Sequence, residues 1–285
     1  MERKKRLIIF SIIITSVLLI VVLSSALFSF RTVSVECRTN TFVITQSDHQ
    51  KIIDSGDFKY GKNILFINFK KNIENIELKN PYVKVINIER KFPNYAIINI
   101  KERMPAVKLS TTGGKYILDE DLKILNVVKT SSGYNEVLNE DKLPELIINQ
   151  SAGISYNKDK SAGEFLENEA LKRIVSAFFN GVVIGENGED EVIGEDRKDE
   201  TVAKSCITII KDITVNFEPT SRFNCLKYTL TFDGSSCTAD IYDDSQDKLV
   251  ENIYKTIKIF IDHSDKYTKI ECRNGVIYGD KTQLS

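Results

Sequence analysis

Little in this chain of 285 residues invites metal or nucleophilic chemistry. There are two histidines, His49 and His263, and neither stands at ligand spacing from another His or Cys. The five cysteines (Cys37, Cys206, Cys225, Cys237, Cys272) contain no CxxC pair, which argues against a zinc ribbon or a thioredoxin-like site. Their number is odd, so at least one is unpaired within the chain; all five lie beyond residue 30, where disulfides could persist, and most read as small buried packing residues. A dominant charge sign is also missing. With 39 basic and 40 acidic side chains the formal net charge is −1, without the basic surplus of a nucleic-acid binder, and no nucleic-acid partner is expected. At 42% hydrophobic and 28% charged, the chain is not of the weakly hydrophobic, highly charged kind that stays unfolded. No cofactor and no metal are expected from these residues.

What is present is unevenly placed. Leu7 to Phe30 is a run of 24 residues without charge, Gly or Pro, roughly 36 Å of helix and enough to cross a bilayer core. Its only polar members are hydroxyls such as Ser11 and Thr15, which can bond back to the helix backbone in lipid. Arg3, Lys4, Lys5 and Arg6 precede the run, so the positive-inside rule puts residues 1–6 in the cytoplasm and the bulk outside, a single-pass type II arrangement in the cell membrane. The rival is a cleaved signal peptide, with Ser24 and Ala26 as small residues near a cut. The run outlasts an ordinary signal-peptide core, which favours a retained anchor over 7–30. No second span follows, and the 255 residues beyond Phe30 suit about two domains, read as 31–103 and 104–285.

The first of these alternates from strand to helix and back. Val33-Ser34-Val35 reads as a short strand, and Ser47-Asp48-His49-Gln50 fits a capping box opening a helix that Gly56 can end. Gly61-Lys62-Asn63 is a turn. Phe69, Ile73 and Ile76 share one helical face until Asn80-Pro81. Val83 to Arg90 and Tyr95 to Lys101 are strands joined at Lys91-Phe92-Pro93-Asn94, with Ala96, Ile98 and Ile100 on one face. The order β-α-α-β-β predicts a small two-layer domain. From Arg31 to Arg103 it carries 13 basic and 8 acidic residues, net +5.

In the second domain the clearest element is a hairpin about Asp233-Gly234. A two-residue turn there pairs Leu226 with Ile241, Tyr228 with Ala239 and Leu230 with Cys237 on an apolar face, and Lys227 with Asp240 on a polar one. Cys237 then points into the core, and a Cys225 to Cys237 cross-strand disulfide is disfavoured. Helices are expected over Phe165 to Phe179 and from a cap at Ser245, where Leu249, Ile253, Ile257 and Ile261 repeat every four residues. A last strand is expected over Lys269 to Tyr278. The Gly-rich stretch Glu186 to Glu200 holds eight acidic residues against Arg197 and Lys198 and reads as a solvated, disordered loop of about 183–203. A calcium site is its rival, but the EF-hand order is absent. The fold class is therefore α+β: an N-terminal transmembrane helix, a β-α-α-β-β domain, and a mixed β-rich domain with flanking helices.

Four pieces in order carry a resemblance: Gly61-Lys62-Asn63-Ile64-Leu65-Phe66, Asn80-Pro81-Tyr82-Val83, Glu89-Arg90-Lys91-Phe92-Pro93-Asn94 and Glu102-Arg103-Met104-Pro105-Ala106. Behind a single N-terminal anchor they resemble the POTRA domain of the FtsQ/DivIB cell-division family. The resemblance continues through Lys115-Tyr116-Ile117-Leu118-Asp119, Leu143-Pro144 and Glu271-Cys272-Arg273. It implies a non-catalytic scaffold of septum formation at the division septum, whose partners are small bitopic coiled-coil proteins of the FtsL and FtsB/DivIC kinds. It further implies a partner edge on the last strand, here Ile270 to Tyr278, with Arg273 as the charged contact and Gly275, Val276 and Tyr278 beside it. Departures from the family pattern are Glu271 and Cys272 in place of Asp and Leu, Asn149 after Leu-Pro, Leu122 at a usual turn Gly, and the acidic insertion. The runner-up is a POTRA-bearing secretion or assembly factor of the envelope, and a cell-wall enzyme stands third. For the last, Ser155-Tyr156-Asn157-Lys158 fits S-x-x-K but lacks its S-D-N and K-T-G companions.

Overall fold

The computed structural model describes residues 2–37, 43–111, 113–129, 134, 138–180, 183–184, 190–191, 204–205, 209–219, 224–244, 248–280 and 282–284. Helix α1, Glu2–Leu27, is the one helix among them long and apolar enough to cross a membrane, over Phe10–Leu27. From Phe10 to Leu27 its large apolar side chains are exposed, as a lipid-facing helix requires. Thr15 Oγ1 donates back to Ser11 O at 2.9 Å. The helix ends three residues short of the expected Phe30, because Phe30 is fully buried in the domain that follows. The chain divides into two compact units, Met1–Arg103 and Met104–Ser285.

Beyond α1, the first unit runs β1 (Thr32–Cys37), α2 (Asp48–Ser55), a 3-10 turn (Ile64–Phe66), α3 (Lys70–Lys79), β2 (Val83–Lys91) and β3 (Tyr95–Glu102). Central β3 pairs parallel to β1 and antiparallel to β2. Ala96, Ile98 and Ile100 meet Ile52 of α2 and Ile76 of α3 in one core, as their shared strand face requires. Each fully buried Ile contributes about 1.5–3 kcal/mol of transfer free energy. Two local details differ from the sequence reading. Ser47 precedes α2 in helical conformation and makes no side-chain cap; Asp48 instead accepts from the Thr45 amide at 2.9 Å and hydroxyl at 2.7 Å. Gly56 at the other end is right-handed (φ −71), and the left-handed residue is Asp57 (φ 52).

The second unit holds a ten-stranded sheet. Its strands are β4 (Val107–Thr111), β5 (Gly114–Leu118), β6 (Ile124–Val128), β7 (Glu145–Ile148), β11 (Ile210–Pro219), β12 (Asn224–Phe232), β13 (Thr238–Tyr242), β14 (Lys269–Arg273), β15 (Val276–Gly279) and β16 (Thr282–Leu284), with β8 (Val183–Ile184), β9 (Asp190–Glu191) and β10 (Lys204–Ser205) pairing separately. Those three short strands lie in and beside the acidic stretch, whose remaining residues, like Cys206 and the expected cap Ser245, lie outside the described residues. The order is β16-β15-β14-β13-β12-β11-β7-β4-β5-β6. Helices α4 (Glu169–Asn180) and α5 (Leu249–His263) share a core with one sheet face, where Ile174 and Phe178 join Ile253, Phe260, Tyr228 and Ile241.

Three expectations are corrected here. The β12–β13 register pairs Tyr228 with Ile241 and Leu230 with Ala239, two residues from the expected one, because the reversal takes Asp233 to Ser236 rather than two residues. A shift of two preserves both faces, so Cys237 is still buried in the core. Cys225 and Cys237 are both free. Helix α4 starts at Glu169, since Phe165 bridges in extended form to Lys123. In α5 a four-residue repeat drifts about 40° per step, so Ile261 has rotated into solvent and Phe260 takes the core position.

Candidate functional site

The expected single strand from Lys269 to Tyr278 is a hairpin. Asn274 (φ 51) and Gly275 (φ 74) are both left-handed, the conformation of a tight reversal between β14 and β15. A second reversal at Asp280 (φ 43) adds β16. Asp280 accepts from the Thr268 amide and hydroxyl and from the Lys269 amide, and these bonds hold its carboxyl below the usual range. The outermost strand is therefore β16, paired to β15 through Tyr278 and Gln283. The sequence reading placed the edge inside what is the hairpin, because both reversals fall within a few residues and neither contains Pro.

Alternation splits the five expected contact residues. Ile270 is fully buried among the helices with Cys272, whose thiol burial pushes up to about 11. Gly275 forms the turn. Arg273, Val276 and Tyr278 lie on the opposite face, where Arg273 pairs with Val276 and Glu271 with Tyr278 across the ladder. That face continues onto β13 and β12 through Asp240, Tyr242, Lys227 and Thr229. Arg273 stacks its guanidinium over the Tyr242 ring at 4.1 Å, donates to the Tyr242 hydroxyl at 2.8 Å, and lies 3.3 Å from Glu271. Lys269 bridges Asp240 at 2.9 Å and Glu271 at 2.8 Å, which raises its pKa. Asp240 also accepts from Thr229 at 2.6 Å. The site is thus a lattice of alternating charge in which half-exposed Lys269 and Arg273 lie over buried Asp240 and Tyr242. Tyr242, Asp240 and Lys269 were missed as members; the signal lay in their shared parity, which needs the β13–β14 pairing across α5 to be read.

The four motifs map onto joints of the first unit. Gly61 takes φ +82, and Asn63 accepts from the Leu65 amide at 3.0 Å, closing the 3-10 turn that buries Ile64. Arg90 donates to Ile64 O at 3.1 Å and Ile67 O at 2.5 Å while lying over Phe69. Asn80 joins Ser55 (2.7 Å) to the end of α3 at Ile76 O (2.8 Å). Arg103, buried, reaches Val83 O at 3.4 Å and Glu77 at 3.3 Å. The family described as POTRA domain, FtsQ-type, matches residues 28–103. Residues 28–103 are an FtsQ-type POTRA domain. This supports the FtsQ/DivIB family recognised from the motifs, and it begins at Phe28, where α1 has just ended. No curated protein matches the chain.

The remaining sequence candidates have structural duties. Asp119 accepts from the amides of Asp121 (3.0 Å) and Lys123 (2.8 Å) and shapes the turn in which Leu122 is left-handed (φ 64). Lys158 lies over the Tyr156 ring, 6.0 Å from its centroid, while the Ser155 carbonyl accepts from Asn168 at 2.8 Å. Among the described residues no group of three or more His, Cys, Asp or Glu side chains could hold a metal ion.

Proposed function

We propose that this chain is a non-catalytic bitopic scaffold of bacterial septum formation, linking division proteins through its extracytoplasmic domains. The observation that carries the reading is the FtsQ-type POTRA domain at residues 28–103, directly behind a helix apolar enough to span a membrane. That family is generally non-enzymatic. The POTRA domain and the sheet domain are then platforms, and the partners are FtsL-like and FtsB/DivIC-like coiled-coil proteins. The C-terminal edge suits such a partner physically: β16 is the outermost strand, its main chain can extend the sheet, and Arg273, Val276 and Tyr278 stand beside it to set specificity. Ile270 is dropped from the contact set, being buried.

The test is a pull-down of the full chain in detergent against both coiled-coil partners, with Arg273→Glu and with a truncation after Asp280. Loss of capture in both variants supports the edge; undiminished capture by both would sink it. A fluorescent fusion separates the function classes, since midcell signal supports septation and a diffuse envelope signal supports the secretion or assembly alternative. Loss of function on Ser155→Ala would revive a wall enzyme.

A further inference from the structure

A different surface is built where the anchor meets the POTRA domain. Phe66 is 85% exposed, the most exposed large apolar side chain among the described residues. Its neighbours explain why it cannot turn inward: Ile64 takes the core position, Asn63 caps the turn, and Arg90 holds the carbonyls of Ile64 and Ile67. One exposed ring is ordinary on a protein surface; a group of them gathered on one short segment marks a contact surface.

The same turn is stitched to the first residues after α1. Ile64 N donates to Phe28 O at 2.8 Å, Phe30 N to Lys62 O at 2.8 Å and Gly61 N to Phe30 O at 2.9 Å. Phe66 is two residues beyond Ile64, so it lies within roughly 10 Å of Phe28, the residue next to the end of the helix. Two further exposed rings attach to the same short segment: Tyr60 stacks on Phe30 at 5.3 Å, and Phe92 meets Phe28 edge-on at 6.0 Å. Beside Phe66, a cleft of about 530 Å³ is lined by Lys59, Lys62 and Lys71 with Asp57 as its one acidic member. Exposed aromatic rings next to lysines, at the mouth of a membrane span, are the chemistry of an interfacial anchor: rings enter the headgroup boundary and ammonium groups meet lipid phosphates.

We propose that the Gly61–Phe66 turn and its lysines dock the POTRA domain onto the anionic surface of the bilayer that α1 spans. This rests on α1 lying in the membrane, so the test reads that separately. The sequence has no tryptophan, so Leu18→Trp in α1, Phe66→Trp in the turn and Ile86→Trp on β2 each supply a single tryptophan, excited apart from the tyrosines. Ile86 lies five residues along β2, or roughly 17 Å, from Lys91, which is level with β1's start across the central strand β3. Each full-length variant is reconstituted into phosphatidylcholine vesicles with or without phosphatidylglycerol, using acyl-brominated lipid as quencher. Leu18→Trp is quenched in both. Phe66→Trp is blue-shifted and quenched in the anionic vesicles and recovers at high salt, while Ile86→Trp stays unquenched. Gln at Lys59, Lys62 and Lys71 lowers the ratio of docked to free domain by about five-fold each. Unquenched Phe66→Trp beside quenched Leu18→Trp overturns the docking and leaves the span standing; unquenched Leu18→Trp removes both. A Phe66→Trp response to a soluble wall polyanion, with none to lipid, also overturns it.

Discussion

Arg90 in the POTRA domain reaches back 26 residues to Ile64, and Asn80 reaches 25 to Ser55. In the sheet domain Arg173 grips Asp243 across 70 residues, at 2.7 and 2.8 Å. Strands follow the contrast only in part: β3 follows β2 by a hairpin but also pairs in parallel with β1 from the start of the domain, whereas β7 lies between β4 and β11, and β14 runs parallel to β13 across a helix. A domain whose joints close over short distances can write each of them as a motif. A domain whose joints close over long distances leaves only alternation behind, because the partner of each strand is set by topology rather than by neighbours in sequence.

The largest effect should come from a core side chain in the long-range domain. Phe232 is buried and stacked on Phe260 with centroids 3.6 Å apart, tying β12 to α5. Phe232→Ala is expected to cost about 3–5 kcal/mol. Hydrogen exchange should show lost protection through β11 to β15 with the POTRA amides unchanged. Faster exchange in β1 to β3 as well would break the contrast, by showing that the two units share one unfolding event.

A medium effect separates two residues with the same backbone twist. Leu122 (φ 64) is buried, whereas Asp57 (φ 52) is exposed. Glycine relieves a left-handed cost of about 1–2 kcal/mol for an ordinary side chain, but a buried Leu also forfeits about 2–5 kcal/mol of packing. Leu122→Gly should therefore destabilise by about 1–3 kcal/mol, and Asp57→Gly should change stability by only about 0.5 kcal/mol, in the stabilising direction. Urea midpoints for the two variants must move in opposite directions. Their agreement in sign would remove burial as the reason that a Leu occupies a turn position where glycine is usual.

These residues also show what was legible beforehand. The POTRA elements, the apolar face of β3 and the inward Cys237 follow from period and parity alone. The β12–β13 register failed by two because the turn length is decided by how Phe232 and Cys237 both reach the core, which parity does not report. The hairpin at Asn274-Gly275 was hidden by a continuous β-rich run. The contact set suffered most: Arg273 was visible as a charge, but its coupling to Tyr242 and Lys269 exists only once β13 and β14 are side by side.

A smaller difference should appear in alkali. Burial raises the Cys272 thiol from an ordinary 9.0 to about 11. The folded state then holds its proton where the unfolded chain releases it. Stability from this group is complete below pH 9 and declines between about 9 and 11. The corresponding POTRA group is Tyr60, a half-exposed phenol raised from 10.0 by partial desolvation, so its decline begins higher and is weakened by solvent screening. Exchange monitored from pH 8 upward should loosen β14 before α2 and α3, and Cys272→Val should flatten that loss. An equal onset in both domains would count against burial of the thiol as the cause.

The least effect is expected at Ser47, and it discriminates the most local reading of all. A capping box would make Ser47→Ala cost about 1 kcal/mol. Here the Ser47 hydroxyl bonds only the Thr45 hydroxyl at 2.6 Å, and Gln50 is turned toward Asp54 at 2.8 Å. Asp48 holds the chain at this corner, through two bonds to Thr45 that also lower its carboxyl pKa. Ser47→Ala should thus shift the POTRA unfolding midpoint by under about 0.5 kcal/mol, the range of a surface change that touches no such feature. Asp48→Ala should destabilise more than Ser47→Ala at neutral pH, and this gap should close as acid protonates Asp48. If Ser47→Ala proves the more damaging of the two, the motif reading of this corner was right, and the POTRA domain is even more local in its construction than its hydrogen bonds imply.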